Sequence, residues 1–185
     1  MNFSLQMGYS YSGKDGPNMC FNAAHSWQLG WYSTKTVTLD TTSTSYVGLL
    51  DGIVDYADSG NTVLVKLNNL NSPEETALYD DYYVNFNRQS GINSGTKEGK
   101  NQVTVVRSGE GNAYAETDLV AKLSTGQEYT IANFDGSGET ATIKVNSIGE
   151  TADVSICIGP CPPPTPPVTT ASPTAVPTAS PTASP

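Results

Sequence analysis

The strongest constraint on the fold is an alternation of apolar and polar residues with a period of two between residues 35 and 159. It is clearest in four stretches rich in β-branched and aromatic side chains, at residues 63–67, 82–87, 142–146 and 154–158. Successive side chains of a strand point to opposite faces, so each stretch would place one face in a core and the other in water. The pattern therefore predicts short β-strands.

Turn-forming residues separate these stretches. Gly, Asn, Asp and Ser cluster at residues 58–61, 93–95, 108–112 and 135–138, where they favour chain reversal. A doubly wound α/β sheet would need crossover helices between its strands, and the sequence shows none. About seven to nine short strands at such spacing are typical of an antiparallel sandwich. We therefore predict a mainly β fold, an antiparallel β-sandwich over residues 35–159.

The composition changes abruptly at Pro160. Residues 160–185 hold ten of the 12 prolines and no charged residue. Proline lacks the amide donor, and Ala, Ser and Thr bring too little apolar area to offset the entropy of ordering. The segment is predicted to be a disordered Pro/Thr/Ser/Ala-rich tail, either an extended stalk of the kind often O-glycosylated outside the cell or simply a disordered end.

Residues 22–29 predict a short helix ahead of the strands. Asn22 is a suitable N-cap and Gly30 a natural stop. Trp27 and Trp31 flank this stop. They could form a sugar-stacking platform, but tryptophans beside a helix end more often pack in a core. The rest of the chain offers no obvious core for this helix, which predicts that its packing partner is missing.

The charge balance excludes several classes of partner. Eighteen Asp and Glu against nine Lys and Arg give a formal charge of -9. Binding to nucleic acid or to an anionic membrane surface requires clustered basic residues, so neither is expected. No apolar stretch approaches the ~20 residues of a membrane-spanning helix, and residues 1–12 contain no apolar region of a signal peptide.

The single histidine, His25, restricts the catalytic chemistry. It could be a stray zinc ligand or a general base, but no second ligand or acidic partner lies at helical spacing from it. A polar position on a short helix is the favoured interpretation. No catalytic residue and no metal ligand is predicted within this chain.

Acidic side chains supply weaker candidates for a metal site. Two groups could donate oxygens to calcium, namely Asp51, Asp55 and Asp58, and Asp135, Ser137 and Glu139. Neither matches a twelve-residue EF-hand loop, and Asp is common in turns for backbone reasons. Asp80 and Asp81 are adjacent, so on a strand they would point to opposite faces and could not act as a catalytic pair.

The three cysteines give an odd count. Cys157 and Cys161 lie near the end of the last predicted strand and could form a disulfide in an oxidising compartment. Cys20 would then remain alone. Three reduced cysteines in a cytosolic chain are the alternative, which the Pro-rich tail makes less attractive.

Two groups of segments resemble one known family. The first is Met-Gly-Tyr-Ser at residues 7–10, followed at residues 19–32 by Met-Cys-Phe-Asn-Ala-Ala-His-Ser-Trp-Gln-Leu-Gly-Trp-Tyr. The second comprises residues 82–94 and 101–106. The first is similar to the end of the catalytic domain of gametolysin-type (autolysin-like) metallopeptidases, and the second to the region that follows that domain. These are secreted algal zinc endopeptidases with a metzincin-like fold that digest cell-wall glycoproteins. The similarity spans roughly residues 7 to 158.

The resemblance implies a role for Met7, followed by Gly8, as the Met-turn residue, whose thioether forms an apolar floor beneath the zinc-binding histidines. The family's zinc-binding helix, with its H-E-x-x-H or Q-E-x-x-H motif, lies upstream of that turn. Only six residues precede Met7 here, and none is histidine. In such a site several side chains from the helix and a third histidine hold zinc while a glutamate takes a proton from its water, so the resemblance implies that the metal site is missing from this sequence. The resemblance also implies that Cys20 pairs with an upstream cysteine.

The resemblance thus divides the chain into a remnant of a metzincin-like peptidase domain (residues 1–34, Met-turn loop and closing helix), the sandwich (35–159) and the tail (160–185). It predicts the C-terminal fragment of a zinc metalloendopeptidase, extracellular or in the cell wall, acting on extracellular-matrix or cell-wall glycoproteins. This chain would be inactive alone and without a cofactor, with zinc implied only for the complete protein. One alternative is a non-catalytic extracellular sandwich that binds glycan or wall protein on a Pro-rich stalk. Another is a pseudo-protease whose helix docks onto an active relative.

Overall fold

The computed structural model describes residues 19–57, 60–69, 81–108 and 117–162. Over these ranges the chain is mainly β, with two sheets and one α-helix, α1 (Ala23–Gln28). The strands are β1 (Thr36–Leu39), β2 (Ser45–Asp51), β3 (Leu64–Leu67), β4 (Asp81–Asn87), β5 (Gln102–Ser108), β6 (Thr117–Leu123), β7 (Glu128–Ile131), β8 (Ala141–Ile148) and β9 (Thr151–Ile158). The predicted mainly β class is therefore confirmed.

The two sheets have the orders β1-β3-β4-β5-β6 and β2-β9-β8-β7. Neighbouring strands are antiparallel except for β1 and β3, which pair in parallel from Thr36 opposite Leu64 to Leu39 opposite Leu67. The prediction of a wholly antiparallel sandwich is wrong at this pair. The reason is that β2, which lies between them in the chain, joins the other sheet. The chain returns to the first sheet by a crossover, which permits parallel pairing.

One hydrophobic core lies between the two sheets. The first sheet contributes fully buried side chains that include Leu39, Val65, Val84, Phe86 and Val105. The second sheet contributes, among others, Leu50, Ile143, Val145, Val154 and Ile156. The four alternating stretches recognised in the sequence lie in β3, β4, β8 and β9. The alternating apolar positions within these strands face this shared core, as their alternation predicts.

The outer faces of β3 and β4 are not in water, contrary to the prediction of a solvated face. All four residues of β3 and all seven of β4 are buried. On β4, Asn85 accepts a hydrogen bond from the Thr104 hydroxyl at 2.7 Å, and Asn87 donates to the Glu98 carbonyl at 2.8 Å. These polar groups are satisfied although they are buried, because neighbouring strands and the loop that follows β4 supply their partners.

Helix α1 covers the rest of the outer face of β3 and β4. The expectation that its packing partner is missing is therefore wrong. The helix does have a packing partner in this chain, since it lies against β4 and β5 on the outer face of the first sheet. Ala23 and Ala24 are fully buried there, in a second cluster with Leu64, Tyr83 and Val106. Two alanines bring the helix close to the sheet, so the helix packs directly against the sandwich.

The ends of α1 are as the sequence predicts. The Asn22 side-chain oxygen accepts from the backbone N–H of His25 at 2.9 Å, which makes it the N-cap. Its amide also donates to the Thr117 hydroxyl at 3.0 Å and thereby ties the helix start to β6. Gly30 follows the helix with a φ of +71°, a left-handed conformation that glycine adopts without strain.

Met7 and Gly8 lie outside the described residues, as does the tail beyond residue 162. No helix in the described part of the chain is both long and apolar enough to cross a membrane.

Candidate functional site

A buried ion pair lies beneath helix α1. Lys66 on β3 and Asp81 at the start of β4 share the outer face of the first sheet, with 2.7 Å between Lys66 Nζ and Asp81 Oδ2. Their side chains are only 8% and 3% exposed. The backbone N–H of Asn69 donates to Asp81 Oδ1 at 3.0 Å. The carboxylate is therefore bonded through both oxygens, as a buried charge requires.

Two aromatic rings complete this cluster. The Trp27 ring centroid lies 4.1 Å from Lys66 Nζ, and the rings of Trp27 and Tyr83 are 5.7 Å apart. A cation over an indole face is attracted by the ring quadrupole, most strongly where water is excluded. The Tyr83 hydroxyl donates to Asp81 Oδ2 at 3.4 Å. Burial, reinforced by the Asp81 carboxylate, raises the pKa of Tyr83, so its hydroxyl remains a donor at physiological pH.

This cluster anchors the helix and is closed to a substrate. Asp80, considered beside Asp81 from the sequence, lies outside the described residues. The partner of Asp81 is Lys66, one strand away. With 6% of Lys66 and 2% of Asp81 exposed, neither side chain can meet a ligand from solvent. The arrangement fixes Trp27, and with it α1, on the sheet.

An open recess, the aromatic cleft, lies beside the C-terminal end of α1. It has a volume of about 610 Å³, within the range of ~300–1,000 Å³ common for small-molecule sites. Its lining comprises Trp31, Tyr32, Ser33, Thr34, Lys35, Tyr56 and Ala57. Trp31 and Tyr56 are 44% and 48% exposed, so their rings are available to a ligand.

Local backbone geometry brings these residues together. After Gly30, Tyr32 adopts a left-handed φ of +60°, and a 3₁₀ turn follows at Ser33–Lys35. A left-handed non-glycine residue costs about 1–3 kcal/mol and persists only where its surroundings hold it. Here the Thr36 hydroxyl donates to the Tyr32 carbonyl at 2.9 Å, and the Lys35 ammonium donates to the Tyr56 carbonyl.

Contacts between rings hold the aromatic surface in place. The rings of Tyr32 and Tyr56 are 4.9 Å apart and tilted by 55°. Phe21 lies behind the cleft, with its ring 5.4 Å from that of Trp31. Tilted and edge-to-face pairs of this kind are favourable and fix the orientation of each ring.

The two tryptophans therefore have different roles. The core position favoured for both holds for Trp27, which packs against the second cluster. It does not hold for Trp31, which lies on the exposed wall of the cleft.

The cleft carries little charge. The described residues of its lining include no carboxylate, and the cationic residue among them, Lys35, is bonded to the Tyr56 carbonyl. Burial raises the pKa of Tyr32, and the nearby Cys20 and Tyr56 act in the same direction, so its hydroxyl is neutral at physiological pH. The cleft thus offers aromatic faces and hydroxyl groups rather than a charged or nucleophilic centre.

The candidate metal ligands are not brought together. Within the four described ranges, no group of three or more His, Cys, Asp or Glu side chains could hold a metal ion. His25 is half-buried on α1 near the Phe21 ring, and burial lowers its pKa. Lone and neutral at physiological pH, it cannot replace a zinc-binding set.

The aspartates considered for calcium serve other contacts. Asp51 accepts from the Asn61 amide at 3.0 Å, Asp55 pairs with Arg88 at 3.0 Å, and Asp58 lies outside the described residues.

The second calcium candidate is a turn held by backbone geometry. The Asp135 N–H donates to the Asn69 side chain at 2.7 Å. The Ser137 hydroxyl donates to the Phe134 carbonyl at 2.6 Å, and the Glu139 N–H donates to the Ser137 hydroxyl at 3.2 Å. Turns of this kind explain the clustered polar residues without a bound ion.

The cysteines occupy two environments. Cys157 and Cys161 form a disulfide at the end of β9, with their Cα atoms 5.2 Å apart. Cys20 is a half-buried free thiol. Burial raises its pKa, and the Asp55 carboxylate adds to the effect, so little reactive thiolate is present at neutral pH. Cys20 is therefore not an activated nucleophile.

The sequence did not single out Tyr32, Lys35 or Tyr56 as site residues. The available signal was the run Trp-Tyr-Ser-Thr-Lys directly after Gly30, in which aromatic and polar residues follow a helix stop. Tyr56 comes from a distant turn after Ile53–Asp55, so no local spacing could connect it to that run.

Comparisons of the chain with protein-family models, with curated proteins and with solved structures each gave no match.

Proposed function

We propose that this chain is the C-terminal, non-catalytic part of a gametolysin-type secreted zinc metalloendopeptidase that acts on extracellular-matrix or cell-wall glycoproteins. In this proposal α1 is the closing helix of the peptidase domain. The supporting observation is that the described segments that resemble the family, residues 19–32, 82–94 and 101–106, contact one another in the fold.

The contacts between these segments are specific. Trp27, from residues 19–32, packs on Tyr83, from residues 82–94. The backbone N–H of Cys20 donates to the Asn93 side chain at 3.0 Å. Ala23 and Ala24 pack with Val106, from residues 101–106. Segments that resemble a family by chance need not pack together, whereas segments inherited as one unit are expected to.

Asn93 connects the resembling segments through the hydrogen bonds of its side chain. It is 1% exposed, and its amide donates to the Asn87 side chain at 2.7 Å and to the Arg88 carbonyl at 2.8 Å. One side chain therefore joins the segment before α1, the end of β4 and the following loop. This supports a role for the sandwich as a rigid mount for the closing helix.

The residues present do not fit the zinc ion of that family. Tetrahedral zinc sites of metallopeptidases use several imidazole or carboxylate ligands with an open position for water. The whole chain contains one histidine. No hydrolytic step is therefore assigned to this chain, and we expect it to be inactive alone.

The extracellular location is part of the same proposal. The Cys157–Cys161 disulfide supports it, since structural disulfides persist mainly in oxidising compartments. The Pro/Thr/Ser composition of residues 160–185 is also typical of extracellular stalks.

Sequencing the transcript upstream of the codon for Met1 tests the proposal. We expect a continuous reading frame that encodes H-E-x-x-H or Q-E-x-x-H, with a third histidine before Met7. An in-frame stop codon directly upstream, with no splice junction that joins another coding segment, would contradict the proposal.

A further inference from the structure

The aromatic cleft has no role in the proposed anchoring of the helix, yet it is an ordered recess with two exposed aromatic walls. We infer that it is a binding subsite for a neutral sugar ring of an extracellular glycan. This inference concerns binding by the chain itself and does not depend on the peptidase proposal.

The aromatic walls suit a pyranose. A sugar ring presents a face of C–H groups, whose slight positive charge is attracted to the negative face of an aromatic ring. Trp31 supplies the largest such face, and Tyr56 a second. Both side chains are nearly half exposed. Exposed aromatics grouped in a recess mark binding sites more often than singly scattered ones do.

The hydroxyl groups beside the aromatic walls of the cleft can bond the hydroxyl groups of the same ligand. Ser33 and Thr34 are exposed beside the rings, and each hydroxyl can both donate and accept a hydrogen bond. The neutral Tyr32 hydroxyl adds a further donor and acceptor group. Apolar faces bordered by groups of this kind match a molecule that has C–H faces and hydroxyl edges.

The charge distribution selects a neutral sugar over an acidic one. The carboxylates of an acidic glycan would need an arginine or lysine cluster, whereas the described lining holds one cationic residue, Lys35, which bonds the Tyr56 carbonyl. The chain as a whole carries a formal charge of -9, which repels polyanions. Binding should therefore depend little on salt.

The cleft is also preorganised. Tyr32 is held in its left-handed conformation by Thr36, and its ring is held against that of Tyr56. Phe21 supports Trp31 from behind. A site whose side chains are already ordered loses less conformational entropy when a ligand binds.

A glycan array probed with the purified 185-residue chain, followed by calorimetric titration of the best neutral oligosaccharide, tests the inference. We expect binding to neutral glycans that changes less than about twofold between low and high salt. Replacing Trp31 with alanine should weaken it by about tenfold or more, and Tyr56→Ala should weaken it less.

The matched control is Val47→Ala. Val47 is also an exposed hydrophobic residue, at 40%, but it lies on β2 in the other sheet. The affinity of the Val47→Ala variant for the oligosaccharide should match that of the unmodified chain. Circular dichroism should show that all variants are folded. Blank binding across the array, binding that Trp31→Ala leaves unchanged, or binding confined to acidic glycans or to proline-rich peptides would each overturn the inference. None of these outcomes bears on the upstream reading frame, so the two proposals fail separately.

Discussion

Replacing Asp81 with alanine should lower the free energy of unfolding of the chain by about 3–5 kcal/mol. The substitution leaves the Lys66 ammonium buried and without its carboxylate, which lies 2.7 Å away in the intact protein. The Tyr83 hydroxyl and the Asn69 N–H lose an acceptor at the same time. Urea denaturation followed by circular dichroism measures the loss, and tryptophan fluorescence reports on Trp27 above the pair.

Two controls separate a buried charge from lost packing. The double variant Lys66→Met/Asp81→Leu removes both charges and should recover most of the stability, because an apolar pair can replace a buried ion pair at little cost. Asp118→Ala removes one partner of an exposed ion pair, in which the Asp118 side chain is 51% exposed and that of Arg107 is 40% exposed. It should cost less than about 1 kcal/mol. An Asp81→Ala cost equally small would contradict the description of this pair as a buried anchor.

Replacing Phe86 with alanine should lower the free energy of unfolding by about 3–5 kcal/mol. Phe86 is fully buried in the core between the two sheets, and its backbone forms a bridge with Gly52. The change removes transfer free energy and leaves a cavity that the two sheets can only partly close. The same urea titration measures this effect.

Ile92→Ala is the control for the core substitution. Ile92 is 62% exposed, and its truncation should change stability by no more than about 0.5 kcal/mol. If Phe86→Ala were as mild as Ile92→Ala, the shared core of the sandwich would be contradicted.

The strands could be predicted because period-two alternation is a local signal. Residues 82–87 illustrate its reach, since Tyr82, Val84 and Phe86 enter the core as the alternation predicts. The cover on the opposite face depends on long-range packing. Tyr83 and Lys66 have the appearance of solvated positions until α1 is placed over them. Alternation identifies the two faces of a strand but not what each face meets.

The missing partner of α1 was a wrong expectation for a related reason. Ala23 and Ala24 are weak hydrophobic signals in the sequence, yet their small size lets the helix lie directly on β4 and β5. The parallel pairing of β1 with β3 was equally hidden, because it depends on β2 joining the other sheet.

The features of the candidate site that depend on local sequence could be predicted, whereas those that depend on long-range packing could not. The Cys157–Cys161 disulfide joins residues four apart, a spacing visible in the sequence. Trp27 and Trp31 are also four apart, but the left-handed Gly30 between them sends Trp31 away from the sheet. The approach of Tyr56 to Tyr32 depends on the fold of a distant segment.

Native mass spectrometry of the protein purified from its source tests whether the chain is part of a zinc peptidase, since one spectrum reports both the mass of the chain and the metal bound to it. Peptides of this sequence identify the protein, and the recombinant 185-residue chain is measured beside it. The proposed fragment origin requires a native chain heavier than 19.5 kDa by at least a domain that carries one zinc ion, and a recombinant chain that carries none and hydrolyses no peptide. A recombinant chain that binds stoichiometric zinc and cleaves peptides, or a zinc-free native chain of 19.5 kDa, would contradict it.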